Sequence, residues 1–344
     1  MSTPAGQGGR LRAYVEFLAA VVYFFLARAL AHMGALGLAS DEWSPLVEQT
    51  MLAFLLLIGY AAMGFWFDRQ TFPIREQGFP PRQGFAREAA LGLATGWGLA
   101  VVCVLFLAAF GGIAISFSLQ LSAWGWLAAD AAFFAMAALA EEIAFRGYGF
   151  QRFARALGPA GASLGFAAYY ALVQRMIPNA NGASFAVSLT LGLLLSVAYL
   201  RTRALWLSWG LNFGWKASRA LVFGLAVNGD SSHSPVVQGD PMGSFRITGG
   251  GFGLDASWLA FFVLVAALPL VFRITRDLDF RYNAPFLEPG GIPVDLDAAA
   301  RAQHEAAMGS AAPAAPALVQ IGSANAAPQT HPSQEQDRGS ADSR

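Results

Sequence analysis

Eight apolar stretches, separated by short polar segments rich in arginine, glycine and proline, leave this chain few ways to fold. They run over about 14–36, 49–67, 89–115, 124–145, 162–173, 183–200, 205–227 and 256–272. A helix needs about 20 apolar residues to cross a bilayer, and all but the short fifth run meet or approach that length. The chain is 56% hydrophobic and 13% charged, where a soluble domain carries about a quarter charged residues. The expected fold is therefore all-α, a polytopic membrane bundle of about eight transmembrane helices.

Arginine placement orients that bundle. Arg10 and Arg12 precede the first run, Arg69, Arg75, Arg82 and Arg87 follow the second, and Arg146, Arg152 and Arg155 follow the fourth. Arg201 and Arg203 separate the sixth and seventh runs, and Arg273 and Arg276 follow the eighth. By the positive-inside rule both termini are cytoplasmic; only the loop with Arg175 departs from the pattern. The first run is long and lacks a small-residue cleavage site, so it is expected to stay as an anchor. Three regions follow: an N-terminal transmembrane hairpin with its cytoplasmic loop over 1–88, a membrane core over 89–282, and a tail over 283–344. The tail, rich in Ala, Pro, Ser and Gln, is expected to be a disordered cytoplasmic segment in which His304 and His331 are solvated.

A net charge of zero gives no hint of nucleic-acid binding. Cys103 is the one cysteine and forms no internal disulfide. The lipid bilayer is the partner that composition implies, with a bacterial cytoplasmic membrane as the expected location.

Charges within the fourth run point to a site. Glu141 and Glu142 are adjacent, Arg146 is four residues further on, and carboxylates in hydrocarbon usually face a protein interior or a wet cavity. At about 1.5 Å per residue, Glu141 lies roughly 17 Å from Arg152, and Tyr170 about 15 Å beyond the Gly158-Pro159 turn. Asn212 and Lys216 lie about 14 and 20 Å beyond Arg203 by the same rise. Polar groups of three helices thus reach one level. Asn212, Lys216 and Arg219 share a helical face, and the cations need anionic partners, for which Glu141 and Glu142 are the candidates. The plainer readings are charges snorkelling at a helix end, Asn212 as interhelical glue, and Asp130 as an interfacial acid.

These residues carry a resemblance. Glu141-Glu142-x-x-x-Arg146 with Gly147-Tyr148 resembles the first motif of the CPBP family of CAAX prenyl protease and bacteriocin-processing membrane proteins. Residues 163–167 resemble the start of the second motif, Phe-x-x-x-His, and residues 200–216 the stretch holding the third, His-x-x-x-Asn. Residues 248–253 resemble a Gly-rich loop of bacterial members. The likeness implies an intramembrane endopeptidase in which a glutamate and the second motif's histidine activate water, while the third motif's histidine and asparagine hold the oxyanion.

The sequence departs from that pattern at three positions. Tyr170 stands in place of the second motif's histidine, Asn212 in place of the third motif's histidine, and Lys216 in place of its asparagine. Glu141, Glu142 and Arg146 match and are the catalytic candidates; Tyr170, Asn212 and Lys216 are expected to line the same cavity. Tyrosine is a poor base at neutral pH, whereas Asn212 and Lys216 are both donors. With the motif histidines missing, no metal site and no zinc or other cofactor is expected.

Three functions compete: an endopeptidase with a remodelled site acting on a peptide or transmembrane protein; a non-catalytic CPBP-fold protein holding such a partner; and a transporter. No internal repeat supports the last.

Overall fold

The computed structural model describes residues 7–278 apart from 80, 111, 119, 234 and 235. The expected tail over 283–344 lies outside the described residues. The architecture is the expected all-α bundle. Helices α1 (Gln7–Leu38) and α2 (Ser44–Asp68) form an antiparallel hairpin, followed by the short α3 (Pro73–Glu76) and then α4 (Phe85–Ala109). Next come strand β1 (Ile113–Phe117), α5 (Leu121–Arg146), α6 (Tyr148–Gln174), α7 (Gly182–Thr202) and α8 (Leu205–Ala217). Strand β2 (Val237–Pro241), α9 (Phe245–Thr248) and α10 (Trp258–Ile274) complete the described chain. Helices α1, α2, α4 and α7 and the joined run Leu121–Gln174 are long and apolar enough to cross a membrane. Helix α10 has 17 residues and is shorter than these.

Three runs end differently from the sequence reading. The third was expected to continue to Ile115, but α4 stops at Ala109 beside Gly112, and Ile113–Phe117 pairs antiparallel with Val237–Pro241. The fifth is the second half of α6, a 27-residue element broken at Gly158. Gly158 has φ 80° and ψ 170°, a backbone that side chains other than hydrogen rarely tolerate, and Pro159 starts the next helical segment. The first half carries Arg152 and Arg155, which is why hydropathy saw only the second half. The seventh run is helical to Ala217, continues as one π turn over Ser218–Val222, and then leaves helical conformation.

Helices α4 and α8 meet backbone to backbone. Gly92 and Gly96 are four apart on α4, and Gly210 and Gly214 are four apart on α8. A Cβ on Gly92 would sit 2.2 Å from the Leu207 carbonyl oxygen, and one on Gly96 would sit 2.2 Å from that of Leu211. In the reverse direction, a Cβ on Gly210 would lie 2.2 Å from the Ala89 oxygen and one on Gly214 2.4 Å from that of Leu93. Apolar packing cannot drive helices together in lipid, so small residues that allow close contact take its place. This double small-x-x-x-small seam fixes the depth of α8, and with it Asn212 and Lys216.

The arginine-bearing end is held by ion pairs. Arg152, fully buried, pairs with Asp68 and ties α6 to α2. Arg82 bonds Glu88 at 3.0 Å and donates to the Thr202 carbonyl at 2.6 Å, pinning the segment before α4 to the end of α7. At the other end of α7, Asn181 and Ser184 form a reciprocal capping box, which satisfies two backbone donors that a helix start leaves open.

Candidate functional site

Three helices deliver the expected side chains to one cluster. Helix α5 brings Glu141, Glu142 and Arg146; α6 brings Tyr170; α8 brings Asn212 and Lys216. Lys216 Nζ lies 2.5 Å from Glu141 Oε1. Asn212 Nδ2 donates to Glu141 Oε2 at 2.9 Å and to Glu142 Oε1 at 3.1 Å. Tyr170 donates its hydroxyl to Glu141 Oε2 at 3.3 Å and accepts from Gln174 Nε2 at 3.0 Å. The orientation of Asn212 follows from its partners, because two carboxylates require the amide nitrogen to face them. Gln174 was not anticipated; its position one helical turn after Tyr170 was the available signal.

The lower half of the cluster is buried. Glu142 and Arg146 are fully buried and pair at 3.4 Å on their own helix. Arg146 also donates to the Gly192 carbonyl of α7 at 3.0 Å, and its guanidinium lies 5.6 Å from the centre of the Tyr170 ring, within cation–π range. Neither group snorkels. Two carboxylates, Glu141 and Glu142, thus stand against two basic side chains, Lys216 and Arg146. Glu142 Oε2, Asn212 Oδ1 and Arg146 Nε are buried and make no hydrogen bond among the described residues.

The upper half opens into a cavity of about 280 Å³. Glu141, Tyr170 and Lys216 line its inner part, and Glu48, Asp230 and His233 line its outer part. Glu141 retains 22% side-chain exposure there. The outer residues come from the start of α2 and the segment after α8, the end of the bundle opposite the loop arginines, with Arg28 of α1 also on the wall. Depth counted from the arginines alone did not reveal this direction of opening.

Two sequence assignments change. Arg219 does not join the glutamates; it approaches Asp255 of the Gly-rich segment at 2.8 Å and donates through Nε to the Trp215 carbonyl at 2.8 Å. The approach to Asp255 is a charge contact off the hydrogen-bond axis, since neither terminal nitrogen of Arg219 makes a directed bond. Arg219 follows Lys216 by three residues of helical backbone, and its side chain turns to Asp255 instead of the glutamates. The fold here also needs Gly253, where φ is 81° and a Cβ would lie 1.9 Å from the Ala226 oxygen.

Asp130 is more than an interfacial acid. It bonds His233 Nδ1 at 2.9 Å, while Asp230 lies 3.2 Å from His233 Nε2 and Phe133 stacks on the ring at 4.3 Å. Burial alone would lower the His233 pKa, but the two carboxylates outweigh it and raise it to about 9. Asp230 is correspondingly held below the usual carboxylate range, chiefly by its bond to His233. His233 is therefore an imidazolium at neutral pH, strapping the segment after α8 to α5. No group of three or more His, Cys, Asp or Glu among the described residues is arranged to hold a metal ion.

Residues 122–218 match the family model described as type II CAAX prenyl endopeptidase Rce1-like. The chain carries an Rce1-like domain. That stretch contains Glu141, Glu142, Arg146, Tyr170, Asn212 and Lys216, so the cluster lies wholly within the Rce1-like domain, while Asp255 and His233 lie beyond it. At the level of the family, the domain is of the CPBP intramembrane protease type, and its apolar helices make the chain an integral, multi-pass membrane protein. No curated protein and no solved structure matches the chain.

Proposed function

We propose that this chain uses an intramembrane-protease scaffold to hold a peptide or transmembrane segment, and that it cleaves generic substrates of the family slowly or not at all. The observation that carries this reading is the crowding of Glu141 by three donors. Lys216 occupies one carboxylate oxygen, and Asn212 and Tyr170 donate to the other. A base that activates water must leave a lone pair to accept its proton. Here three donors take all but about one of the carboxylate's four lone-pair sites, and the Tyr170 phenol is no substitute for an imidazole. Losing a base or an oxyanion donor usually lowers rate by about two orders of magnitude or more each.

A remodelled endopeptidase is the second reading, and one feature favours it. Glu141 is the site carboxylate that faces the cavity, with Asn212 and Lys216, both donors, beside it. In that case substrate binding would displace Lys216 from Glu141 towards a developing oxyanion.

The proposal includes a direction of access. With eight crossings and both termini in the cytoplasm, the cavity opens away from the loop arginines, towards the outer face of a bacterial cytoplasmic membrane. No zinc takes part. The experiment is cleavage of a membrane-embedded reporter peptide by purified protein, beside Glu141→Ala and a triple variant carrying Tyr170→His, Asn212→His and Lys216→Asn. Silence in the native chain with cleavage by the triple variant is the expected result. Robust native cleavage that disappears in Glu141→Ala would overturn the non-catalytic reading and favour the remodelled enzyme. Access is tested separately, by labelling a cysteine placed at Asp230 in a Cys103→Ala background; labelling only from the cytoplasm would refute the direction.

A further inference from the structure

A second, larger cavity of about 1020 Å³ lies at the arginine-bearing end. Four arginines from four elements line it: Arg10 of α1, Arg75 of α3, Arg155 of α6 and Arg203 at the C-cap of α7. Among the described residues Glu76 is the one acid on its wall, and Phe150, Leu157 and Leu200 give the wall an apolar part. Asp68, the nearest further carboxylate to Arg155, is already engaged by the buried Arg152; Arg155 stands 3.5 Å from it and is half exposed.

The wall is built rather than incidental. The Gly78 carbonyl accepts from the Leu205 amide at 3.2 Å, which docks the segment after α3 onto the α7–α8 junction. Gln151 donates to the Glu76 carbonyl at 2.6 Å and to the Tyr199 hydroxyl at 3.0 Å, tying α3 to α6 and α7. The break at Gly158, where an added Cβ would meet nothing within 4 Å, leaves one side open. A positive-inside bias accounts for arginines on this face of the membrane. It does not account for four of them converging from separate elements on one concavity.

We propose that this cavity binds a phosphate-bearing anion, for which the source at the membrane interface is the headgroup of an anionic lipid. Arginine presents a planar fork that pairs bidentately with phosphate oxygens, and the apolar wall suits the glycerol and the first methylenes of an acyl chain. The proposal stands apart from the reading of the Glu141 site.

The test uses the full chain purified in a neutral detergent, with phosphatidylglycerol, phosphatidylcholine or inorganic phosphate added. The thermal unfolding midpoint and the lipid retained in native mass spectrometry are the readouts. Phosphatidylglycerol is expected to raise the midpoint by several degrees and to be retained over phosphatidylcholine. Arg75→Gln with Arg155→Gln should abolish both effects. Arg69→Gln with Arg87→Gln, which removes equal charge from exposed positions off the cavity, should preserve them. Protection by inorganic phosphate, again lost in the cavity variant alone, would identify a free phosphate as the source. Equal loss in both double variants, or no protection by either phosphate source, overturns the proposal. If the cavity double does not fold, Arg10→Gln and Arg155→Lys are read singly, the lysine keeping the charge but losing the fork. Each is then expected to weaken retention, and retention unchanged in both overturns the proposal.

Discussion

Replacing Lys216 with methionine removes the cation from the Glu141 carboxylate while keeping the volume of the side chain. At the observed 2.5 Å, Coulomb's law with an effective dielectric of about 20 gives roughly 7 kcal/mol of attraction. Burying the ammonium costs several kcal/mol, so the pair's net value is a difference between comparable quantities. After substitution Glu141 keeps the Asn212 and Tyr170 donors and its 22% exposure to the cavity, which lessens the cost of stranding it. The expected loss is about 2–4 kcal/mol, at or below the usual range for breaking a buried pair. Glu141→Gln should cost more, because Lys216 is only 6% exposed and has no other acid bonded to it among the described residues. Unfolding in mixed micelles, with denaturing detergent as the variable, provides the measurement. The double variant should fall short of the sum of the singles by about 1.5 kcal/mol or more, the size of coupling seen for groups in contact. Glu142→Gln should couple less strongly to Lys216→Met, since Glu142 bonds Asn212 and Arg146 instead. Additive losses for the Glu141 pair would refute the assignment, as would stronger coupling to Glu142.

Other expectations follow from single contacts. Gly96→Ala should destabilise the chain by more than about 2 kcal/mol through overpacking, whereas Gly98→Ala on the same helix, where a Cβ meets nothing within 4 Å, should be neutral or slightly stabilising in the same unfolding assay. The His233 pKa is raised to about 9 in the folded chain from about 6.5 unfolded. Its contribution is therefore fully present below about pH 6.5 and is lost as pH rises through about 9. His233→Gln should flatten the fall in thermal stability between those values, and an unchanged slope would count against the strap.

Much of the site was legible because helices keep a fixed register. Two carboxylates on α5 and a polar stripe at four-residue spacing on α8 could be brought to one depth by counting from arginines, and the structure joins them directly. What escaped lies where that register is no guide. Arg219 keeps the stripe's register but turns to Asp255, which follows a glycine-rich segment that has no period to read. Asp130 and His233 are 103 residues apart, and nothing local marks either as the other's partner. The two Gly-x-x-x-Gly pairs, at Gly92 and Gly96 and at Gly210 and Gly214, were in plain view. Their meaning depended on knowing that α4 and α8 face each other. The break in α6 came from the Gly158-Pro159 pair, but the polar half before it carried too little hydropathy to be counted with the fifth run.

The glycine seam also limits how the cluster can change. Asn212 and Lys216 alternate along α8 with Gly210 and Gly214, so donors and seam occupy different sides of one helix and move as a unit. With carbonyls seated where side chains would be, α8 has no soft layer through which to shift by a fraction of a turn. The next compatible seating is one Gly-to-Gly step away, about 6 Å along the helix. That displacement would carry Lys216 out of reach of Glu141 altogether. New chemistry at this level therefore has to come from exchanging side chains within an unmoving frame.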